Sequence, residues 1–198
     1  MATRGKLQDL DLCFVDVETT GSKFGFNEIV DIGAIRTTHD ASIVLGELEQ
    51  RVRPQFPHRF SDYARELTGY SEALWNDAPE HTRELWLNFA VFASGAVPVC
   101  HNPSFERAFL ELTAREFDIG SLGLDYHWIG TESLGWPFYR AGLIPKLSLK
   151  TLCEFVGVEA EPSPHRAING ARSCLGVYRG LMAGLRGLTS TSSREGSA

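Results

Sequence analysis

The sequence predicts an α/β fold, a mixed five-stranded sheet flanked by helices, and three observations carry that expectation. Near the start, three strand-like runs, at 11–17, 28–37 and 47–53, are joined by short spacers, so they read as antiparallel neighbours. Beyond residue 60, apolar residues recur at helical spacing, and two short strand-like runs, at 96–100 and 125–129, interrupt them. Strands first, then helices alternating with strands, is the order of a mixed α/β sheet. At 198 residues with 43% hydrophobic content, the chain is long enough for one sizeable core. It reads as one domain over 1–188, followed by a Ser/Gly-rich polar tail at 189–198 that is expected to be disordered.

Each element has a local reason. The run 11–17 is apolar enough for a buried strand, 28–37 is β-branched, and 47–53 alternates until Pro54 ends it. Ser61 or Asp62 caps a short helix that stops at Gly69. Over 80–93, Leu85, Trp86, Phe89 and Ala93 form an apolar stripe that reads as core rather than as a base-stacking platform. After the strand at 96–100, Asn102 is placed to cap a helix that Pro103 opens in a favourable first-turn position. The run 148–156 is a helix closed by Gly157, and 159–164 is a loop. The last helix spans 165–185, with Ala167, Ala171, Cys174, Leu175, Tyr178 and Met182 on one stripe.

Composition excludes several classes. No stretch of eighteen apolar residues exists, so no membrane-spanning helix is expected, and the first nine residues lack the apolar region of a secretion signal. A net charge of −6 argues against a broad basic face that coats nucleic acid. It leaves room for an acidic pocket that takes one strand end, because bound cations reverse the local field. Cys13, Cys100, Cys153 and Cys174 form no CxxC pair and read as buried free thiols in a reducing, cytoplasmic setting.

The most informative stretch is Phe14-Val15-Asp16-Val17-Glu18-Thr19-Thr20-Gly21. Side chains two apart on a strand point the same way, so Asp16 and Glu18 share a face. Two neighbouring carboxylates repel and resist burial unless a cation sits between them, and hard oxygen donors suit magnesium or manganese. Three further segments stand out. One is Leu67-Thr68-Gly69-Tyr70 with Asp77-Ala78-Pro79 after it. Another is His101-Asn102-Pro103-Ser104-Phe105-Glu106. The last is Ser148-Leu149-Lys150-Thr151-Leu152 followed by Pro164-His165-Arg166-Ala167-Ile168-Asn169-Gly170-Ala171.

In this order and in these elements, the segments resemble the DEDDh 3′→5′ exonucleases, relatives of the bacterial proofreading subunit and of RNase T, over residues 10–185. The resemblance implies an RNase H-like fold, four acids holding two metal ions, and a histidine as general base. Asp16 and Glu18 match the first two acids, Glu106 stands where the family has a third, and His165 matches the histidine. It further implies that Asp16 bridges both ions and Glu18 helps hold one. The backbone at Thr19 and Thr20 would meet the 3′ end, and Phe24 or Phe26 would stack on the terminal base. The implied substrate is the 3′ end of single-stranded or frayed nucleic acid, and the implied partner a polymerase or another nucleic-acid-processing protein.

Two positions depart from the pattern. Glu106 is one methylene longer than the expected aspartate but is still an anionic oxygen donor. The fourth acid falls on Gly170, which has no side chain, and Asn169 beside it is rotated about 100° away on a helix. Loss of that acid predicts a two-ion site with one ion held weakly, and predicts that Gly170→Asp raises activity. Two readings stay open: a metal-dependent 3′→5′ exonuclease weakened at this position, or a catalytically inactive exonuclease fold used as a nucleic-acid-end binder or protein-interaction subunit.

Overall fold

The computed structural model describes the backbone of residues 6–195 and the side chains of residues 6–185. Its sheet contains β1 (Leu12–Thr19), β2 (Ile29–Thr37), β3 (Val44–Arg51), β4 (Val97–Cys100) and β5 (Ile129–Gly130), in the spatial order β3-β2-β1-β4-β5. β1 pairs antiparallel with β2 and parallel with β4, β2 pairs antiparallel with β3, and β5 lies parallel to β4. The expected mixed five-stranded sheet is therefore present, with its three opening strands antiparallel. β1 and β2 are buried on both faces, whereas the edge strand β3 carries Glu47 and Glu49, charges that discourage pairing with another chain.

The helices are α1 (Asp62–Thr68), α2 (Glu72–Trp75), α3 (Arg83–Ala93), α4 (Pro103–Glu116), α5 (Thr131–Arg140), α6 (Leu149–Val156) and α7 (Ala167–Glu195). Local chemistry sets several boundaries. The Ser61 hydroxyl accepts from Ala64 N–H at the start of α1, and Gly69 ends that helix at φ 65°. The Asn102 side chain accepts from Ser104 N–H at the start of α4, and Ser148 accepts from Thr151 N–H at the start of α6.

Strand alternation divides the core. Cys13, Val15 and Val17 of β1 pack with Trp86 and Phe89 of α3 and with Phe109 and Leu110 of α4. Leu12 and Phe14 point to the other face, against Ile168, Ala171, Cys174, Leu175 and Tyr178 of α7. Asp16 and Glu18 continue the Leu12–Phe14 row by the same two-residue period, so they end it on the α7 side. A glycine makes close docking possible there. Gly33 is the β2 partner of Asp16, and a Cβ at Gly33 would lie 2.2 Å from Ile168 N. The backbone of α7 thus rests directly on the sheet beside Asp16.

Several boundaries differ from the sequence-based expectation. The strand expected at 125–129 is reduced to Ile129–Gly130, because the Asp125 carboxylate accepts from His127 N–H at 2.9 Å and holds a local turn. α5 was not expected. Its Gly135 and Pro137 look like helix breakers, yet Gly135 lets it approach α6, where a Cβ would meet Leu152 Cδ2 at 2.7 Å. β3 starts earlier than expected, at Val44. α7 runs to Glu195, so the backbone over 189–195 is helical where an unstructured tail was expected; positions 196–198 lie outside the described residues. All four cysteines are buried and free, and no helix among the described residues is long and apolar enough to cross a membrane.

Candidate active site

At the C-terminal end of β1, the sheet, α1, α4 and the segment leading into α7 enclose a cavity of about 430 Å³. Asp16, Glu18 and Thr19 of β1 line it, together with Tyr63 and Leu67 of α1, Phe105 and Glu106 of α4, and Glu161 and His165 from the loop before α7. Glu106 reaches it because the Asn102 cap and Pro103 start α4 at the end of β4, which puts Glu106 in the helix's first turn. Its side chain is buried, and its Oε2 has no hydrogen-bond partner among the described residues.

The loop wall is tied down on two sides. His165 N–H donates to Leu67 O at 2.8 Å, which fastens it to the end of α1. Arg166 Nε donates to Asp31 Oδ2 at 2.7 Å, and its guanidinium also reaches Glu49, which fastens it to β2 and β3. Between these ties, Glu161 Oε1 accepts from Arg166 N–H at 2.9 Å, and Glu161 Oε2 stands 3.1 Å from His165 Nδ1. Glu18, Glu161 and His165 each present a ligand atom within 4.8 Å of the others. α7 closes on Asp16, where a Cβ at Gly170 would fall 2.4 Å from Asp16 Oδ2.

The electrostatics follow from this crowding. Burial pushes Glu18 up to about 8, and the charges of Glu161 and Asp31 push the same way, against the Arg166 guanidinium. Burial raises Asp16 well above the usual carboxylate range, with Glu18, Glu106, Glu161 and Asp31 adding to it. Burial takes Glu106 to about 7 and Glu161 to about 7, the latter partly offset by the hydrogen bond from Arg166 N–H. Burial also lowers His165 below its ordinary value, so it is neutral at physiological pH. Four carboxylates that resist simultaneous ionisation, one of them with a buried unpartnered oxygen, fit a divalent cation. The donors are hard carboxylate oxygens beside a single imidazole.

The sequence-derived candidates divide between the cavity wall and the packing around it. Asp16, Glu18, Glu106, His165 and Thr19 lie on the cavity wall. Thr20 does not: its hydroxyl accepts from Glu28 N–H and from Asn27 Nδ2, and its own N–H donates to Glu28 O, so it closes the β1–β2 connection instead. Phe24 packs against Phe109 at 5.2 Å between ring centroids, and Phe26 lies under the Arg59 guanidinium at 4.9 Å; neither lines the cavity. The aromatic rings that line it are Tyr63, which is 72% exposed, and Phe105. Sequence reasoning missed Tyr63 and Glu161. The only local signal for Tyr63 was a large aromatic in the exposed first turn of α1, and Glu161 stood in a loop that has no periodicity to read.

The chain matches the family model RNase_T, described as Exonuclease, over residues 13–178. It is 31% identical over 163 residues to the DNA polymerase III PolC-type of Caldanaerobacter subterraneus subsp. tengcongensis, a match covering 82% of this chain and 11% of that polymerase. The chain therefore spans about a tenth of that relative's length. Among solved structures it resembles Exonuclease I of E. coli in complex with a 5cy-dT13 oligonucleotide, with a TM-score of 0.73 and 15% identity, covering 88% of this chain and 40% of that one. It also resembles the nuclease domain of 3′hExo, a DEDDh family member bound to rAMP, with a TM-score of 0.66 and 16% identity, covering 88% of this chain and 92% of that one. At these identities the two structures share the fold with this chain, the RNase H-like exonuclease fold.

Proposed function

The chain belongs to the RNase_T exonuclease family, and from that premise we propose that it removes nucleotides one at a time from the 3′ end of single-stranded or frayed nucleic acid. The observation that carries this reading is the gathering of Asp16, Glu18 and Glu106 with His165 around one cavity, with Glu106 Oε2 left without a partner among the described residues. The cavity volume falls in the range of small-ligand sites, which suits one terminal nucleotide rather than a duplex.

In this reading Asp16, Glu18 and Glu106 would hold Mg²⁺ or Mn²⁺, whose chemistry there would be to lower the pKa of a water and to offset charge at the scissile phosphate. His165 acts as general base. Its Nδ1 faces Glu161 Oε2 at 3.1 Å, so with the proton on Nδ1 the lone pair of Nε2 is left to accept a proton from water. The lowered pKa of His165 keeps that lone pair available at neutral pH. Tyr63 and Phe105 offer ring faces to the terminal base, a contact that tolerates any base. The relation to a PolC-type polymerase supports a partner of polymerase or other nucleic-acid-processing type.

A second reading, a catalytically silent end-binder or protein-interaction subunit, rests on Gly170, reinforced by Glu106. A 5′-labelled single strand incubated with Mn²⁺ separates the two. Stepwise shortening from the 3′ end, abolished by Asp16→Ala, is the expected outcome. A strand that stays intact at high protein and high Mn²⁺ leaves only the silent reading.

A further inference from the structure

We infer that Glu161, on the loop before α7, supplies the fourth carboxylate of the cation site, in the place that Gly170 on α7 leaves without an acid. The inference rests on the reading of the cavity as a nuclease site, and it concerns which residue completes the donor set.

Three independent features lead to it. The first is the space at position 170. A Cβ there would sit 2.4 Å from Asp16 Oδ2 and 2.6 Å from Asp16 Cγ, so a side chain at that point would displace the Asp16 carboxylate or α7. The second is the location of Glu161. It lines the same cavity as Asp16 and Glu18, and one of its oxygens lies within 4.8 Å of the ligand atoms of Glu18 and His165. Its carboxylate is not there by chance of a loose loop, because Arg166 N–H holds Oε1 while Leu67 O and Asp31 hold the neighbouring residues. The third is Glu106 Oε2, which is buried at the same cavity with no hydrogen-bond partner among the described residues. An orphaned carboxylate oxygen in a cavity already lined by three other acids calls for a positive charge between them.

The four carboxylates are then Asp16, Glu18, Glu106 and Glu161, all on the cavity wall. The acid lost five residues after His165 is replaced by one four residues before it. Glu161 also touches His165 Nδ1, so the alternative is that it only orients the imidazole.

Calorimetric titration of the full chain with MnCl₂ separates these roles without relying on catalysis. Glu161→Gln keeps an oxygen for Arg166 N–H and removes the charge. It is expected to weaken Mn²⁺ binding by roughly tenfold or more, as Asp16→Asn does. Glu161→Asp, which keeps the charge, is expected to bind Mn²⁺ more tightly than Glu161→Gln, the two compared at a temperature where both are folded. If Glu161→Gln binds Mn²⁺ as the unaltered chain does while Asp16→Asn does not, Glu161 is an orienting group for His165 and the inference is overturned. If Asp16→Asn also binds Mn²⁺ unchanged, the nuclease reading of the cavity falls with it.

Discussion

The two walls of the cavity are built in different ways. On one, Asp16 and Glu18 project from β1, a strand buried in the centre of the sheet, and their direction follows from the period of two that also points Leu12 and Phe14 at α7. On the other, Glu161 and His165 sit on an irregular loop, positioned by hydrogen bonds to Leu67 O and by Arg166 bridging to Asp31 and Glu49. The strand wall is rigid because of what it is part of, and the loop wall because of what it is tied to. Between them the backbone of α7 meets the sheet at two glycines, Gly33 under Ile168 and Gly170 over Asp16. The distance between the walls is set by residues with no side chain.

That comparison can be broken most severely at Gly170. A methyl at this position would lie 2.4 Å from Asp16 Oδ2, so Gly170→Ala must displace either α7 or the carboxylate. A misplacement of about 1 Å costs on the order of 100-fold in rate, and strand shortening is expected to fall by roughly that factor with the fold intact. Gly170→Asp, which the sequence alone suggested as a gain, is expected to lower activity as well. Higher activity in the aspartate variant would show that α7 yields and the walls are not held at fixed spacing.

A smaller loss of activity is expected at Gly33, the β2 partner of Asp16. A Cβ there would lie 2.2 Å from Ile168 N, a backbone atom with little room to move. Overpacking of this kind costs about 1–3 kcal/mol, so Gly33→Ala should shift the urea midpoint down and reduce activity together. Unchanged stability would mean that the sheet and α7 are not in direct contact.

The mildest test titrates both walls together. In chelator, the folded protein keeps Glu18 at about 8 and Glu106 and Glu161 at about 7, whereas each returns to about 4.5 on unfolding. Between about pH 4.5 and pH 8 the folded state therefore binds more protons than the unfolded state, and stability falls as pH rises through that window. The stabilisation is fully present below about pH 4.5 and is lost as the folded-state values are passed. Thermal melts in chelator should show the decline and melts in Mn²⁺ should not. A flat profile in chelator would mean that the carboxylates are not crowded.

The strand wall was legible in the sequence because periodicity alone gives direction. The same holds for the capped ends of α1, α4 and α6, where Ser61, Asn102 and Ser148 are short polar residues with a known local function. The loop wall was only half legible. His165 stood out beside Arg166 and Ala167, but Glu161 owes its place to Arg166, whose partner Asp31 lies 135 residues away. No local pattern encodes such a tether. The place of Phe24 and Phe26 off the cavity wall was hidden for a related reason: an aromatic in a connection has no period to show where it points, and these two pack on Phe109 and under Arg59. α5 was hidden because Gly135 and Pro137 argue locally against a helix that packing against α6 supports.

The central claim is that both walls reach a common cation, and a crystal soaked in manganese tests it most directly. Anomalous density in the cavity, with oxygens of Asp16 and Glu18 from one wall and Glu161 from the other in contact with the ion, is the expected result. A soaked crystal with no ion between the walls, and with Glu161 turned only toward His165 and Arg166, would contradict it.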